Sequence, residues 1–264
     1  MCLRANMTRM AKQANAPVPG TYQIDTGTAS LERDHYGDSS WLLRVNGVQS
    51  SHVDLNDPLR LDFEYMRWMV AAINQWPAGP APYRRILHLG GGACSMARWA
   101  AAKYPDSRQV VVELDGKLAT YVREWFDLPK APLLRIRVGD AAEVTPTLTD
   151  ATRDIIIRDV FAGNKTPASV SSKEFATQIK RVLDPDGLYL ANCGDTSKLE
   201  EVRRESQILS EVFEHVAMIS DPAMFKGRRS GNVVFAASQR PFENLAALER
   251  DLRMDALPAQ FRAV

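Results

Sequence analysis

The chain has 264 residues, about a quarter of them charged, and a formal net charge of +1. That balance excludes a broad electrostatic pull toward nucleic acid or an anionic membrane. No apolar run approaches the roughly 20 residues that span a bilayer, and the length suits one moderate domain plus a smaller one.

The first stretch, MCLRANMTRMAKQANAPVPG, is basic and lacks the apolar core of a secretion signal, so residues 1–20 are expected to form a loose arm. Cys2, Cys94 and Cys193 are odd in number and not spaced like metal ligands. They point to a reduced, cytoplasmic setting. The four histidines are scattered, so no metal is expected.

Residues 21–76 read as a small N-terminal β-domain with a connecting helix. Thr21–Asp25, Ser30–Asp34, Trp41–Val45 and Val48–Val53 carry β-formers or alternate. Asn46-Gly47 is a two-residue hairpin turn between the last two. A helix is expected from Asn56 or Asp57 as cap, with Pro58 in its first turn. Its apolar face is Leu59, Phe63, Met66, Met69, Val70 and Ile73. Pro77, Pro80 and Pro82 end it.

Residues 83–240 alternate strands and helices, which implies a parallel sheet covered on both faces. The expected strands are Ile86–Leu89, Gln109–Glu113, Leu134–Val138, Asp154–Asp159, Leu188–Asn192, Val216–Ser220 and Asn232–Ala237. Helices are expected after Leu89 to about Tyr104, then at Lys117–Phe126, Ser171–Leu183 and Leu199–Phe213. Asp184-Pro185-Asp186-Gly187 reads as a turn. Residues 241–264 read as a C-terminal tail or helix. The fold class expected is α/β.

Ligands of such sheets sit beyond the carboxyl ends of the strands, where the polar residues of this chain cluster. HLGGGACS places Gly90, Gly91 and Gly92 on a strand-to-helix turn, where backbone can approach a ligand and a helix start offers free N–H groups. It is not a full G-x-G-x-x-G, because Ser95 holds the last position. VVVELD ends a strand with Glu113, which can accept both hydroxyls of a ribose. Asp115, past the strand end, can cap the next helix. In RVGDAAE, Asp140 can accept from an adenine amino group or cap a helix. In IIIRDVFAGNKTPAS, Asp159 closes the most apolar strand. It can hydrogen-bond an amine and take its proton, or serve as a loop anchor. The loop after it, with Gly163, Asn164 and Pro167, can act as a lid. A phosphate-binding G-K-[ST] is absent, which argues against nucleoside triphosphate hydrolysis.

Blander readings hold elsewhere. Cys94 reads as a small buried residue, and His88 as a core histidine. Trp68, Trp99 and Trp125 read as core, and Lys226, Arg228 and Arg229 as a solvated turn.

From about Leu42 to Ser238 the sequence resembles the spermidine synthase family of polyamine aminopropyltransferases. RVNGVQSSH is similar to that family's hairpin ending in a Gln, here Gln49. LDFEYM (Leu61–Met66) stands where its Tyr-(Gln/His)-Glu-Met segment falls. ILHLGGG resembles its glycine turn, VVVELD its ribose-binding Glu, and VGDA, with Asp140 and Ala141, its adenine-binding Asp. DIIIRD resembles the strand that carries its catalytic Asp, and KRVLDPDGLYLANCGD its late helix and strand. The resemblance implies a Rossmann-like S-adenosylmethionine-dependent methyltransferase fold behind a small N-terminal β-domain. It also implies a homodimer, a decarboxylated S-adenosylmethionine donor and a small amine acceptor.

Three positions depart from the family pattern. Ala93 stands where the glycine turn usually continues with Asp, and Ala162 where the catalytic loop usually carries a second Asp. The expected aromatic hydroxyl falls on Phe63, with Glu64 beside it. Glu64, Asp62 or Asp195 are the carboxylates left to receive an acceptor. Three readings therefore stay open: aminopropyl transfer, methyl transfer from intact S-adenosylmethionine, and nucleoside binding without turnover.

Overall fold

The computed structural model describes residues 16–264 apart from Tyr36, Pro80 and Asn164. The basic arm expected at residues 1–20 lies mostly outside the described residues.

The chain opens with β1 (Gly20–Ile24), β2 (Gly27–Arg33), β3 (Ser40–Val45) and β4 (Val48–Asp54), an antiparallel meander in sequence order. Asn46-Gly47 turns β3 into β4 with both residues at positive φ, the conformation an Asn-Gly pair tolerates best. The register shifts by a bulge between Leu43 and Arg44. Ile24, Ala29, Leu31, Trp41, Leu43 and Val53 bury one face of the meander.

Helix α1 spans Glu64–Gln75, not a stretch starting at Asn56 or Asp57. The physical reason is local. Asp54 accepts from the N–H groups of Asn56 and Asp57, and Asp57 accepts from that of Leu59, so the polar side chains close loop turns. Phe63 is still extended, and Leu59 is exposed rather than part of the apolar face. Tyr65, Met66, Trp68, Met69, Ala72 and Ile73 form that face and pack on the main sheet.

The main sheet has the order β12-β10-β11-β9-β8-β5-β6-β7. Its parallel part is β5 (Arg85–Leu89), β6 (Arg108–Glu113), β7 (Leu134–Val138), β8 (Arg153–Arg158) and β9 (Leu183–Asp195). Antiparallel β11 (Gly231–Ser238) and β10 (His215–Ser220) extend it beyond β9. The Asp184–Gly187 segment, read as a plain turn, sits inside the extended run of β9. It bulges out as the register with β8 jumps from Arg153–Leu183 to Ile155–Leu188. Helices α2 (Ser95–Lys103), α3 (Gly116–Trp125), α4 (Ala141–Val144), α5 (Lys173–Val182), α6 (Glu200–Val212) and α7 (Pro222–Phe225) fill the crossovers.

The C-terminal segment contributes more than a tail. Helix α8 (Leu245–Arg253) is followed by β12 (Gln260–Ala263), which pairs antiparallel with β10 and forms the sheet edge. Four residues are too few for a readable alternation, so only the pairing reveals the strand.

Successive residues of the central strands enter different cores, as a sheet buried on both faces requires. Leu87, Leu89 and Ile156 pack with α5 and α6, whereas Ile86, Ile155 and Ile157 pack with α1, α2 and α8. A third cluster joins the meander to α2 and α3 through Leu31, Trp41, Ala97 and Val122. Polar ties reinforce that junction. Asp115 caps α3 at Leu118 and accepts from the backbone and hydroxyl of Thr26, while Asp25 accepts from the Lys117 N–H.

Candidate active site

Strands β5 and β8 are parallel neighbours, but the chain leaves β5 toward β6 and returns to β8 on the other side. Connections diverge there, so a crevice opens at the carboxyl ends of these two strands. Asp159 N–H donates to Leu89 C=O at 2.8 Å, which locks the end of β8 beside the glycine turn. Gly90 has φ 90°, and a Cβ there would collide with the Asp159 carbonyl oxygen. Only glycine lets the two backbones approach this closely.

Glu113 lies across the turn. Its Oε2 accepts from Gly91 N–H at 2.9 Å and Gly92 N–H at 3.1 Å, and its Oε1 accepts from Asp115 N–H at 2.9 Å. Burial pushes this carboxyl above its ordinary range, and the three backbone donors oppose that rise. Beside it, Leu114 is 58% exposed, and Val138, at the end of the next strand, is 55% exposed. Two large apolar side chains in solvent at adjacent strand ends suit a flat apolar ring better than they suit water. Asp140 follows Val138 and Gly139. Its Oδ1 accepts from Ala142 N–H at 2.7 Å, so the capping role is realised. Ala141 is the buried first residue of α4.

Asp159 is held at the rim by two side chains. Tyr65 Oη donates to its Oδ2 at 2.8 Å, and Asn192 Nδ2 donates to its Oδ1 at 3.0 Å. Burial raises its pKa, and the Asn192 and Tyr65 hydrogen bonds and the Arg158 charge pull it back. Burial and the same carboxylate push Tyr65 well above an ordinary tyrosine, which keeps its proton in place. The hydroxyl expected at Phe63 thus comes from Tyr65. Phe63 precedes the helix and packs its ring 5.9 Å from that of Tyr65. The signal was present in LDFEYM: Tyr65, Met69, Ala72 and Ile73 share one helical face. Asn192 had no sequence signal beyond its place at a strand end.

Directly behind Asp159, Arg158 is fully buried. Its guanidinium pairs with Glu205 at 2.6 Å and donates to the carbonyls of Val170 (2.9 Å) and Asn192 (2.8 Å). One cation therefore ties α6, the loop after β8 and the strand of Asn192 together.

The crevice encloses about 430 Å³, counting its open mouth. It brings together Gly90, Gly91, Gly92 and Asp159 with Ser50 and Ser51 of β4. The remaining residues singled out from the sequence lie apart. Gln49 is exposed on β4, next to Ser50. Asp195 is engaged by the Thr196 and Val202 N–H groups at the start of α6. Glu64 opens α1 and lies in the field of Arg67 and Arg229. Arg229 pairs with Asp221, so the basic patch is partly neutralised. Ala93 is fully buried against β4, where its N–H donates to Ser51 Oγ at 2.9 Å. His88 bonds Gln109 at 2.9 Å, and burial lowers its pKa to about 4. Cys94 is buried, its thiol pushed up to about 12 by burial. Among the described residues, no group of three or more His, Cys, Asp or Glu is arranged to hold a metal ion, and no helix is long and apolar enough to cross a membrane.

The strand order, the glycine turn after the first parallel strand and the acid after the second define a Rossmann-like S-adenosylmethionine-dependent methyltransferase fold carrying an N-terminal β-meander. Human methyltransferase-like protein 13, solved in complex with SAH, shares it at TM-score 0.57 and 21% identity, over 73% of this chain and 94% of that one. More particularly, the chain belongs to the spermine/spermidine synthase family, whose domain model matches residues 70–224. The structure of a probable spermidine synthase from Corynebacterium glutamicum is similar at TM-score 0.89 and 47% identity, covering 94% of this chain and 91% of that one. A polyamine aminopropyltransferase of Vibrio vulnificus is 28% identical over 193 residues, 72% of this chain and 61% of the relative. One from Chromobacterium violaceum is 30% identical over 146 residues, 55% of this chain and 54% of the relative. The chain thus spans little more than half the length of these two curated relatives.

Proposed function

We propose that this chain is an aminopropyltransferase that takes decarboxylated S-adenosylmethionine as donor and a small amine as acceptor. The observation that carries the reading is the pinning of Asp159, by Tyr65 and Asn192, one backbone hydrogen bond from the glycine turn. In this reading Glu113 receives the ribose hydroxyls at Gly90–Gly92. Leu114 and Val138 flank the adenine, and Asp140 and Ala141 meet its edge. The sulfonium donor is already activated, so the chain has to align the acceptor and keep its nitrogen uncharged. As the nitrogen lone pair forms the new C–N bond, the propyl C–S bond breaks and methylthioadenosine leaves with the electron pair. The amine proton goes to Asp159 Oδ, whose burial makes it a stronger base than a solvated aspartate. The homodimer rests on the family resemblance, and the cytoplasmic setting on the number and spacing of the cysteines.

Thermal shift with methylthioadenosine and with S-adenosylhomocysteine, followed by mass spectrometry of an amine panel with decarboxylated donor, tests this. The expected result is stabilisation by methylthioadenosine and an aminopropylated product. Preference for S-adenosylhomocysteine with methylated products would instead make the chain a methyltransferase. Nucleoside binding with no product would make it a binding protein.

A further inference from the structure

Building on the aminopropyl-transfer reading, we propose that His88, at the floor of the crevice, selects the acceptor. Its Nδ1 lone pair receives an N–H or O–H at the far end of an amine whose near end reacts at Asp159. The inference starts from the register of two neighbouring strands. His88 of β5 stands opposite Ile157 of β8, and Asp159 follows Ile157 by two residues. The His88 and Asp159 side chains therefore leave the same face of the sheet. That face is covered by α1, which brings Tyr65 to Asp159. One two-residue step along a strand and one step across place the two Cα atoms about 8 Å apart. Both residues line the crevice, together with Met66, Met96 and Ile157.

The hydrogen bonds around His88 decide which ring nitrogen is free. Gln109 Nε2 donates to the Ala97 carbonyl at 3.2 Å and to Ser107 Oγ at 3.1 Å. A carbonyl only accepts, so the amide is oriented with its Oε1 toward His88, 2.9 Å from Nε2. An oxygen there requires the proton on Nε2 and leaves Nδ1 bare. Among the described residues Nδ1 has no hydrogen-bond partner. His88 is 3% exposed, and burial lowers its pKa to about 4, so the ring stays neutral and its lone pair open to a donor. The chemistry at Asp159 makes no use of it. A ligand that covered Nδ1 with an alkyl end would leave this acceptor dry and unpaired, whereas a far N–H or O–H satisfies it. The donor carries an ammonium of its own, but that group lies only three bonds beyond the carbon attacked at Asp159. The far group of a four-carbon amine lies five bonds from the reacting nitrogen, and this longer reach suits the span to His88.

The test compares 1-aminobutane, 4-amino-1-butanol and 1,4-diaminobutane with decarboxylated donor, product read by mass spectrometry, in the native chain, His88→Gln and His88→Asn. Glutamine keeps a donor toward Gln109 where Nε2 stood and has no acceptor at the Nδ1 position; asparagine places its Oδ1 there. In the native chain KM is expected to be about tenfold lower for the amines with a far O–H or N–H than for 1-aminobutane, the scale of one buried hydrogen bond. His88→Gln is expected to erase that preference by raising their KM with kcat nearly unchanged, and His88→Asn to restore it in part. A second readout needs no variant. In nitrogen-15 histidine-labelled protein bound to methylthioadenosine, the His88 Nδ1 resonance is expected to shift with 4-amino-1-butanol and not with 1-aminobutane. Equal use of the three amines by the native chain, a preference that survives His88→Gln, or an unmoved Nδ1 resonance overturns the proposal and leaves aminopropyl transfer standing. An effect of His88→Gln on the donor KM alone assigns Nδ1 to the donor's ammonium and overturns it too. Failure of methylthioadenosine to bind, or product from none of the amines, overturns the underlying reading and the proposal with it.

Discussion

Tyr65 and Asp159 are 94 residues apart in sequence, yet the Tyr65 hydroxyl donates a 2.8 Å hydrogen bond to Asp159 Oδ2. The bond joins α1 to the carboxyl end of β8 and sets the orientation of the proposed base. It also stabilises the ionised carboxylate against the burial that raises its pKa.

Tyr65→Phe removes a donor that lowers the Asp159 pKa. The acid limb of the kcat/KM profile is therefore expected to move to higher pH, because the base must ionise without that hydrogen bond. The direction follows from burial raising the pKa and Tyr65 opposing it. A pH–rate series on both proteins reads the limb; an unmoved or lowered limb argues against the coupling.

Asp159→Asn keeps the shape and loses the proton acceptor. Transfer is expected to fall by about 10²- to 10⁴-fold, with methylthioadenosine affinity nearly unchanged. Titration calorimetry and single-turnover kinetics separate the two quantities. Full activity in this variant removes Asp159 from the chemistry.

Nucleoside affinity is expected to weaken on acidification. Glu113 has to be ionised to accept from both the glycine turn and a ribose, and burial places its pKa above the ordinary glutamate range. Protonation as pH falls through that raised value removes acceptors, so Kd rises. Glu113→Gln should flatten the dependence and weaken binding about 10- to 100-fold, the scale of a lost charge-assisted bond. Fluorescence or calorimetric titration across pH checks both.

Breaking the buried pair of Arg158 and Glu205 is expected to be costly. Glu205→Leu alone leaves Arg158 charged and unpaired in the core, a loss of about 3–5 kcal/mol. The double variant Arg158→Met, Glu205→Leu should recover much of that loss, since a packed apolar pair avoids the stranded charge. Urea unfolding of the three proteins measures it. If the losses simply add, the two side chains are not coupled.

Much of the architecture was legible in the sequence because its signals are local. The alternating strands and helices, the Asn46-Gly47 hairpin and the glycine turn each specify their own backbone. Their sum implies the α/β class, and the family resemblance implies the methyltransferase-type topology that the sheet order shows. The start of α1 was misplaced because Asp54 and Asp57 satisfy loop N–H groups that a cap residue would otherwise meet. Strand β12 was missed because Gln260–Ala263 becomes a strand only through pairing with β10. At the site, Glu113 and Asp159 announced themselves as acids ending apolar strands. Tyr65 was passed over for Phe63, a choice that depended on where the helix begins. Asn192 and the Arg158–Glu205 pair depend on contacts between distant segments, to which no local pattern is sensitive.

The contact of Ser51 with Ala93 makes the N-terminal meander a scaffold for the glycine turn. Ser51 Oγ satisfies the N–H that follows the three glycines, and a Cβ on Gly92 would strike the same hydroxyl. The turn is therefore moulded from outside as well as from its own strand. Cutting the chain before α1 would leave a Rossmann-like half with its strands intact but the Ala93 N–H without its acceptor and the curve around Gly92 unsupported. Any shortened or chimeric version has to carry β4 along with the turn, because the seam between the two sheets runs through the proposed donor site rather than beside it.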